Sequence, residues 1–589
     1  MAILDPNTDA VESAPVSSSA QPVSSDQPGS VSGYLPVWKN YQRVLFRIAF
    51  IFFVSMTLPN NVNWYKELFA LDWLHLHYRD IYDVARFGSG LNFFGSRLFG
   101  SPLNGYATWV ITLLFSVVAG FIWTAVDKFR KPEPKEYNLL YYWLRVIVRY
   151  RAGIGIIGFG FTKLLPTQLP YPSWGVLNTN FGDLTLQKIY WLSIGIVPWY
   201  EVFAGFVEIL AGALLFFRAT TFWGSVLLFG ALADIVYVNF AYDGGVHVYS
   251  SYFVLFSAFL LIQYIPSLYN LLIRERYTVP YIYYPDLSQT WQRVMRISLK
   301  TATIAVFLVL LLYLQVVNFL YDPYKQPAIK GIPELRGNYQ VSEFRINDQL
   351  IPYAPLDTVR WQQATFEKWT TLTFKVNKPV DLDLSNGGGS PMRDINRTFE
   401  LTGVAGGQRV FYYEADTINQ VLYLQDKNRG AANRESAFLA EGEGGGARSA
   451  RNQNSGNRPN PENNSRANAN ERSGNTRREG GRRNAEGAAR QGREQEANWI
   501  PKTALAIIGP EDPKIHPLGR STRRTQGIER ESRPGKRNRM VLSYTILNGG
   551  DRVVLSGIDE KKDSIRVVLD RYDKKYALSR STLEAGHYD

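Results

Sequence analysis

The feature that most constrains this chain is a series of long apolar segments whose interiors carry charged residues. Four such segments, separated by short turns, lie within residues 139–265. An apolar run of about 20 residues is long enough for a helix to cross the hydrocarbon core of a bilayer. The ionisable residues inside these segments are Arg145, Arg149, Lys163, Glu201, Glu208 and Asp234. Because charges inside a bilayer are costly, they usually pair or face a cavity, so the pattern predicts a helical bundle with a polar interior.

Apolar runs on both sides of this region extend the prediction to about seven membrane-spanning helices. The predicted spans are 43–58, 106–125, 139–165, 191–217, 221–242, 246–265 and 301–320. Basic residues concentrate in alternate connections, at 128–135, at Arg218 and at 274–300. Short loops rich in Lys and Arg tend to stay in the cytoplasm. We therefore expect a cytoplasmic N-terminus, with everything after residue 320 on the opposite side of the membrane.

After residue 320 the hydrophobic pattern changes to the period of two that is typical of strands. Short alternating runs occur at 338–346, 370–376, 380–384, 398–404, 409–414, 420–424, 540–547, 552–558, 564–569 and 576–578. Turn residues separate the runs, and Asn548, Gly549, Gly550 and Asp551 form a good hairpin turn. This spacing predicts an all-β antiparallel barrel or sandwich at the C-terminus.

The composition divides the chain further. We expect a disordered N-terminal tail (1–38), additional spans with an outer loop (39–137), a four-helix core (138–270), a cytoplasmic loop with the last span (271–322) and a β domain in two parts (323–426 and 540–589). The intervening residues, 427–539, are rich in Arg, Asn and Gly, which predicts a disordered insertion. Its mixed charge favours a solvated linker over nucleic-acid binding, although residues 499–509 are apolar enough to rejoin the barrel.

Cofactor chemistry is constrained by the absence of cysteine. This absence excludes disulfides, thiolate nucleophiles and metal sites made of cysteine. A metal or haem site at His75, His77 and His247 is conceivable, but no carboxylate pattern supports it, so no metal site is predicted. Gly153, Gly155 and Gly158 spell a dinucleotide-binding motif, yet no strand precedes them, and helix packing explains them better.

The charges of the core fall on faces that also carry small residues. Glu201, Gly205, Glu208 and Gly212 follow helical spacing, and small residues on such a face let a neighbouring helix approach closely. The same holds for the faces that contain Arg149 and Asp234. Similar depths along the helices predict two ion pairs, Arg149–Glu208 and Lys163–Glu201, with Asp234 between them. Such pairs could hold the helices in register or form a functional pocket or proton path.

Several of these segments resemble the DoxX-like membrane proteins. The resemblance rests on Tyr142-Trp143-Leu144-Arg145, Arg149-Tyr150, Gly160-Phe161-Thr162-Lys163, the run from Glu208 to Leu215 followed by Arg218, and Asn239-Phe240-Ala241-Tyr242-Asp243. It covers roughly residues 139–266. The extra spans and the β domain are similar to a large DoxX-like type found in Bacteroidota. This resemblance implies a bacterial inner membrane, a periplasmic β domain and a four-helix core.

The resemblance leaves the activity open between three alternatives. The first is a cell-envelope membrane protein of unassigned activity, whose bundle anchors a β domain that binds an envelope protein or a small molecule. The second is a quinone-linked oxidoreductase subunit similar to the DoxD type, with quinone as a possible cofactor. The third is a small-molecule transporter. The candidate polar site consists of Arg145, Arg149, Lys163, Glu201, Glu208, Asp234, Asn239 and His247.

Overall fold

A computed structural model describes residues 38–91, 103–130, 136–278, 282–428, 499–522, 537–578 and Leu583. The predicted N-terminal tail and most of the predicted insertion lie outside these residues. The described chain folds into a bundle of apolar helices followed by a closed antiparallel β-barrel. The coarse architecture predicted from the sequence is therefore confirmed.

The helical part runs from residue 40 to residue 321. Its helices are α1 (Asn40–Thr57), α2 (Val62–Phe69), α3 (Tyr78–Ala85), α4 (Ala107–Arg130), α5 (Asn138–Leu164), α6 (Trp174–Leu177), α7 (Leu186–Gly195), α8 (Pro198–Leu215), α9 (Thr221–Ala241), α10 (His247–Leu261), α11 (Ile265–Leu272), α12 (Thr290–Ile304) and α13 (Leu311–Tyr321). A π-helical segment, Ala305–Leu310, joins α12 to α13.

Within the described residues, five helical stretches are long and apolar enough to cross a membrane. They are Ala107–Arg130, Pro198–Leu215, Thr221–Ala241, His247–Leu272 and Thr290–Tyr321. Helices α1 and α5 form at the predicted positions but fall outside this set, and α5 carries four basic residues. The prediction of one continuous helix over 191–217 is wrong. Pro198 lacks an N–H and disfavours helical geometry at Val197, so the chain breaks into α7 and α8.

Helix α5 is the centre of the bundle, since it contacts α1, α8 and α10. Its closest approach is to α8, and glycines make this approach possible. A Cβ atom on Gly205 would lie 2.3 Å from the backbone nitrogen of Leu164, and one on Gly160 would lie 3.0 Å from the carbonyl oxygen of Gly205. Gly153 and Gly212 meet in the same way one level further along. The predicted close contact between small-residue faces is therefore confirmed for this helix pair.

The barrel consists of β1 (Gly337–Ile346), β2 (Gln349–Leu350), β3 (Trp361–Phe366), β4 (Thr371–Val376), β5 (Gln408–Asp416), β6 (Val421–Asp426), β7 (Arg539–Leu547), β8 (Arg552–Ile558) and β9 (Ser564–Tyr572). Neighbouring strands pair antiparallel, and β1 pairs with β9 to close an eight-stranded barrel, while β2 is a short extension on β1. Closure leaves no long free edge. The predicted turn at Asn548–Gly550 joins β7 to β8.

Some strand predictions were wrong. Residues 380–384, 398–404 and 576–578 form no strand, and β3 was not predicted. In 398–404, Phe399 is buried against Leu169 and Trp191 of the helical part, so its apolar character reflects docking and not a sheet. The predicted return of residues 499–509 to the barrel does occur, but as a helix, α14 (Lys502–Ile508), which packs beside Tyr423.

Candidate functional site

The bundle and the barrel meet in a region of buried polar side chains that we call the barrel-side joint. Its members come from the C-terminal end of α5, from α7 and α8, from the end of α13 and from barrel loops. They are Lys163, Lys188, Glu201, Glu208, Asp322, Lys325, Arg397, Glu400 and Lys427. Charges that are buried this completely require hydrogen-bond or ion-pair partners. The partners of each residue therefore determine whether it is structural or free to contact a ligand.

Inside the bundle, Lys163 and Glu208 form an ion pair. The Lys163 Nζ lies 2.8 and 2.9 Å from the two carboxylate oxygens of Glu208. Glu208 is buried, and the Lys163 side chain keeps 15% of its exposure. The pair bridges α5 and α8 just where the glycines bring these helices together. It therefore fixes the register of the two helices and places a cation beside the loop that leads to the barrel.

The predicted pairs Arg149–Glu208 and Lys163–Glu201 are both wrong, although all four residues lie on the predicted faces. The contacts between glycines set α5 antiparallel to α8. Side chains of a helix lean toward its own N-terminus. In antiparallel helices, Lys163 and Glu208 therefore lean toward each other, whereas Arg149 leans away from Glu208. Arg149 instead donates to the Thr221 hydroxyl at 3.2 Å.

Glu201 is the least satisfied acid of the joint. It is 1% exposed, and its Oε1 accepts the backbone N–H of Leu169 at 3.1 Å. Its Oε2 has no hydrogen-bond partner among the described residues. A carboxylate oxygen left without a partner in an apolar setting is unfavourable, and this makes Glu201 the strongest candidate in the joint for contact with a ligand or a proton.

Two lysines and two aromatic rings connect α7 to the barrel. Trp191 stacks on Phe399 with 5.8 Å between ring centroids. The Nζ of Lys188 donates to the Phe399 carbonyl oxygen at 2.5 Å, and that of Lys325 lies 4.5 Å from the Trp191 ring and donates to Asn386 at 2.7 Å. Burial, with the nearby positive charge of Lys325, lowers the pKa of Lys188 to about 7. Lys188 is therefore a titratable group at the interface between α7 and the barrel.

Helix α13 is tied to the barrel by a buried pair of opposite charges. Arg397, in a barrel loop, donates to the Asp322 carboxylate directly after α13, and both side chains are almost completely buried. Arg397 also donates to the Pro323 carbonyl oxygen at 3.2 Å. Asn318 of α13 donates to Ser390 at 2.7 Å in the same barrel segment. These contacts hold the barrel at a fixed position on the bundle.

A cleft opens beside the joint. One wall is a proline-rich loop that includes Leu169 and Tyr171, and the opposite wall is the barrel at Glu367 and Trp369. Glu367 accepts the N–H of Gly175 at 2.8 Å. Its burial, and then the negative charge of Glu400, raise its pKa to about 7. Since Glu201 accepts a hydrogen bond from the N–H of Leu169, the cleft wall is directly attached to this buried acid of α8.

The remaining predicted site residues do not join this cluster. Arg145 donates to the Leu260 carbonyl oxygen at 3.0 Å, near the opposite end of α5. Asn239 donates to the Ile235 carbonyl oxygen at 2.7 Å, which is a local helix contact, and His247 is buried between the rings of Tyr106 and Phe240. The expectation that Asp234 lies in the interior is wrong, because it is exposed on α9. Its negative charge nevertheless acts on Tyr190, as does the negative charge of Glu208.

Sequence reasoning missed six members of the joint, namely Lys188, Asp322, Lys325, Arg397, Glu400 and Lys427. Each is a single charged residue in a segment predicted to be a loop, a helix end or, for Glu400, a strand. The only signal for them was the position of Asp322 and Lys325 directly after the last apolar run. Their importance depends on contacts between segments far apart in the chain, which no local pattern contains. Among the described residues, no group of three or more His, Asp or Glu side chains could hold a metal ion.

Taken together, the apolar helices and the docked barrel define a membrane-anchored protein with a C-terminal β-barrel domain. No family model matches the chain, and no solved structure matches it. Over 91 residues, 14% of this chain, it is 36% identical to the uncharacterized protein YwoB of Bacillus subtilis (strain 168). The matched stretch covers 59% of YwoB, so the similarity extends over only part of that protein.

Proposed function

We propose that this chain is a DoxX-like integral protein of a bacterial inner membrane, whose helical bundle holds the β-barrel rigidly at the periplasmic surface. The resemblance supports this proposal through Lys163 and Glu208, which lie in two of its motifs and pair across α5 and α8. In this role the barrel presents a fixed surface to an envelope protein or a small molecule, and the bundle provides anchorage and orientation.

The observation that carries the proposal is the set of buried polar contacts in the barrel-side joint. Flexible attachment would need only a linker after α13. Instead, the barrel is docked through Arg397 on Asp322, Lys188 on the Phe399 carbonyl and Trp191 on the Phe399 ring. Separating such a joint would expose charged and aromatic groups arranged for each other. Rigid docking is what a membrane-bound presenting or binding platform requires.

Orientation is tested by single cysteines, because the natural chain has none. Ile418→Cys places a thiol on an exposed barrel hairpin, and Tyr277→Cys places one on an exposed residue after α11. In spheroplasts, a membrane-impermeant maleimide should label the Ile418→Cys variant without permeabilisation and the Tyr277→Cys variant only after it. The reverse pattern would reject the periplasmic barrel. Labelling of both without permeabilisation would reject the proposed spans.

A quinone-linked role is a second candidate, and Glu201 favours it. The unpartnered Oε2 of Glu201 lies in the membrane-embedded bundle next to the Lys163–Glu208 pair and the cleft wall. Together these groups could bind a polar head and move a proton. Purification with native lipid, followed by mass spectrometry and absorbance, should then recover a quinone that Glu201→Gln releases. Absence of quinone, together with unchanged growth of a Glu201→Gln strain, would reject this candidate.

A further inference from the structure

A second concentration of charge lies at the end of the bundle opposite the barrel. It consists of Arg145 and Arg149 of α5, Arg218 of the turn between α8 and α9, and Lys300 of α12; we call it the cationic cluster. The four groups are close enough to interact electrostatically. The positive charges of Arg218 and Arg145 act on Arg149, and those of Arg149 and Arg218 act on Lys300. Like charges held together in a folded protein call for a counterion.

The counterion is missing from the part of the chain that the structure describes. None of the four residues makes an ion pair there, and their described contacts are with neutral groups. Arg149 donates to the Thr221 hydroxyl at 3.2 Å and Arg218 to the Tyr142 hydroxyl at 2.6 Å. The Nζ of Lys300 lies 3.8 Å from the centre of the Phe217 ring. These contacts position the cations without neutralising them.

Arg149 shows most clearly that a partner is needed. It is 9% exposed, and its Nε has no hydrogen-bond partner among the described residues. Two other buried arginines near this end of the bundle do have carboxylates, since Arg43 pairs with Glu136 at 3.0 Å and Arg47 with Asp127 at 2.7 Å. A buried guanidinium without a counterion is strongly unfavourable. An external anion would supply the missing counterion.

The start of α9 adds a second kind of anion-binding group. Arg149 bonds to Thr221, the first residue of this 21-residue helix. The preceding Thr220 makes no side-chain capping hydrogen bond. The N–H of Thr221 donates to the Arg218 carbonyl oxygen at 3.4 Å and that of Gly224 to the Thr220 carbonyl oxygen, so the helix dipole and the N–H groups of Phe222 and Trp223 are the ones available to a negative charge. Cations from three elements converge on a helix N-terminus, which is an arrangement that suits phosphate.

We propose that the cationic cluster binds a phosphate group, held by Arg149, Arg218 and Lys300 at the N-terminus of α9. The planar guanidinium groups match the oxygens of a phosphate, and Lys300 supplies a point charge. Exposed aromatic residues near the cluster, Trp143, Phe217 and Trp291, are of the kind found at the headgroup level of a bilayer. The phosphate of an anionic phospholipid and free phosphate share this chemistry, and the lipid is the source that the surroundings favour.

The test uses the full-length protein in nanodiscs of phosphatidylcholine, with or without phosphatidylglycerol. Native mass spectrometry measures which lipid stays bound, and calorimetry measures inorganic phosphate binding in discs that lack phosphatidylglycerol. The variants are Arg149→Gln, Arg218→Gln and Lys300→Gln. The matched control is Arg293→Gln, which removes an exposed charge from the same helix as Lys300. If Arg149→Gln fails to fold, the partly exposed Lys300 keeps the test valid.

The natural protein should retain phosphatidylglycerol in preference to phosphatidylcholine. Each variant of the cluster should weaken this binding about tenfold, which is the usual effect of losing one charge-assisted hydrogen bond, and Arg293→Gln should bind normally. Binding of inorganic phosphate alone, with the same sensitivity to the variants, would also support the site and assign it to free phosphate. Absence of both, or an equal loss with Arg293→Gln, would overturn the proposal.

Discussion

At the end of the bundle that meets the barrel, buried cations face carboxylate, carbonyl and amide oxygens, whereas the cations of the cationic cluster at the opposite end lie beside one another. Arg397 has Asp322 and Lys163 has Glu208. Arg149 and Arg218 have only hydroxyl groups and aromatic rings among the described residues. Both groups of cations are removed from water, but among the described residues only those of the barrel-side joint have carboxylate partners.

The barrel-side joint and the cationic cluster therefore contribute to the protein in different ways. A charge paired within the chain stabilises one arrangement of helices and barrel, and its loss should lower stability. A charge without an internal partner should contribute little to stability until a ligand binds, since binding only to the folded state is what shifts the folding equilibrium. The effects of mutations on stability should therefore differ between the two ends in size, in sign and in their dependence on lipid.

The largest effect is expected for Arg397→Met. It leaves Asp322 buried without its strongest partner, and breaking a buried pair in this way costs about 3–5 kcal/mol. The apparent free energy of unfolding in detergent should fall by this amount, and limited proteolysis should release the barrel. Arg552→Met is the matched control, because its pair with Asp570 is largely exposed. Equal effects of both variants would contradict the idea that burial of the joint determines its strength.

Glu208→Gln should have the next largest effect. The amide keeps the size of the side chain but removes the charge that accepts two hydrogen bonds from Lys163. A loss of about 2 kcal/mol is expected for a hydrogen bond to a charged group, and it should be measured by unfolding in mixed micelles. Asp234→Asn is the control, since that exposed acid makes no ion pair among the described residues. A larger loss of stability for Asp234→Asn than for Glu208→Gln would indicate that Asp234 lies in the interior of the bundle after all.

The comparison also shows how far sequence reasoning extends in this chain. Helix positions and the close contact of α5 with α8 were predictable because apolar period and glycine spacing are local properties. Most barrel strands were predictable for the same reason. The partner of Glu208 was not, because depth alone ignores the lean of side chains toward their own helix N-terminus. The barrel-side joint was beyond reach because Lys188 and Phe399 are brought together only by docking of the barrel.

The titration of Lys188 should make the joint depend on pH. Burial, with Lys325 nearby, holds the pKa of Lys188 at about 7, below the usual 10.5 of lysine. Between these values the unfolded chain binds a proton that the folded chain lacks, so stability should rise with pH above about 7. Below about pH 7 both states are protonated, and the full penalty of burying the charge remains.

This dependence is measured as the difference between the natural protein and Lys188→Met. One pKa unit corresponds to about 1.4 kcal/mol, so the natural protein should gain roughly 1 kcal/mol relative to the variant between about pH 7 and about pH 8. Lys502→Met, at an exposed position of α14, should show no such difference. If the difference in stability between the natural protein and Lys188→Met did not change with pH across this range, Lys188 would retain its proton in the joint. A carboxylate would then have to lie closer to it than Glu400 or Asp383.

The smallest effect, and the one of opposite sign, is expected for Lys300→Met in detergent that carries no phospholipid. Removing one of several like charges relieves repulsion from Arg149 and Arg218, so the variant should be more stable by about 0.5 kcal/mol, a size typical of exposed charge pairs. Adding phosphatidylglycerol should reverse the order, because the natural protein then gains the anion that the variant binds less well. Destabilisation in both conditions would mean that Lys300 has a partner within the chain, and the contrast between the two ends of the bundle would fail.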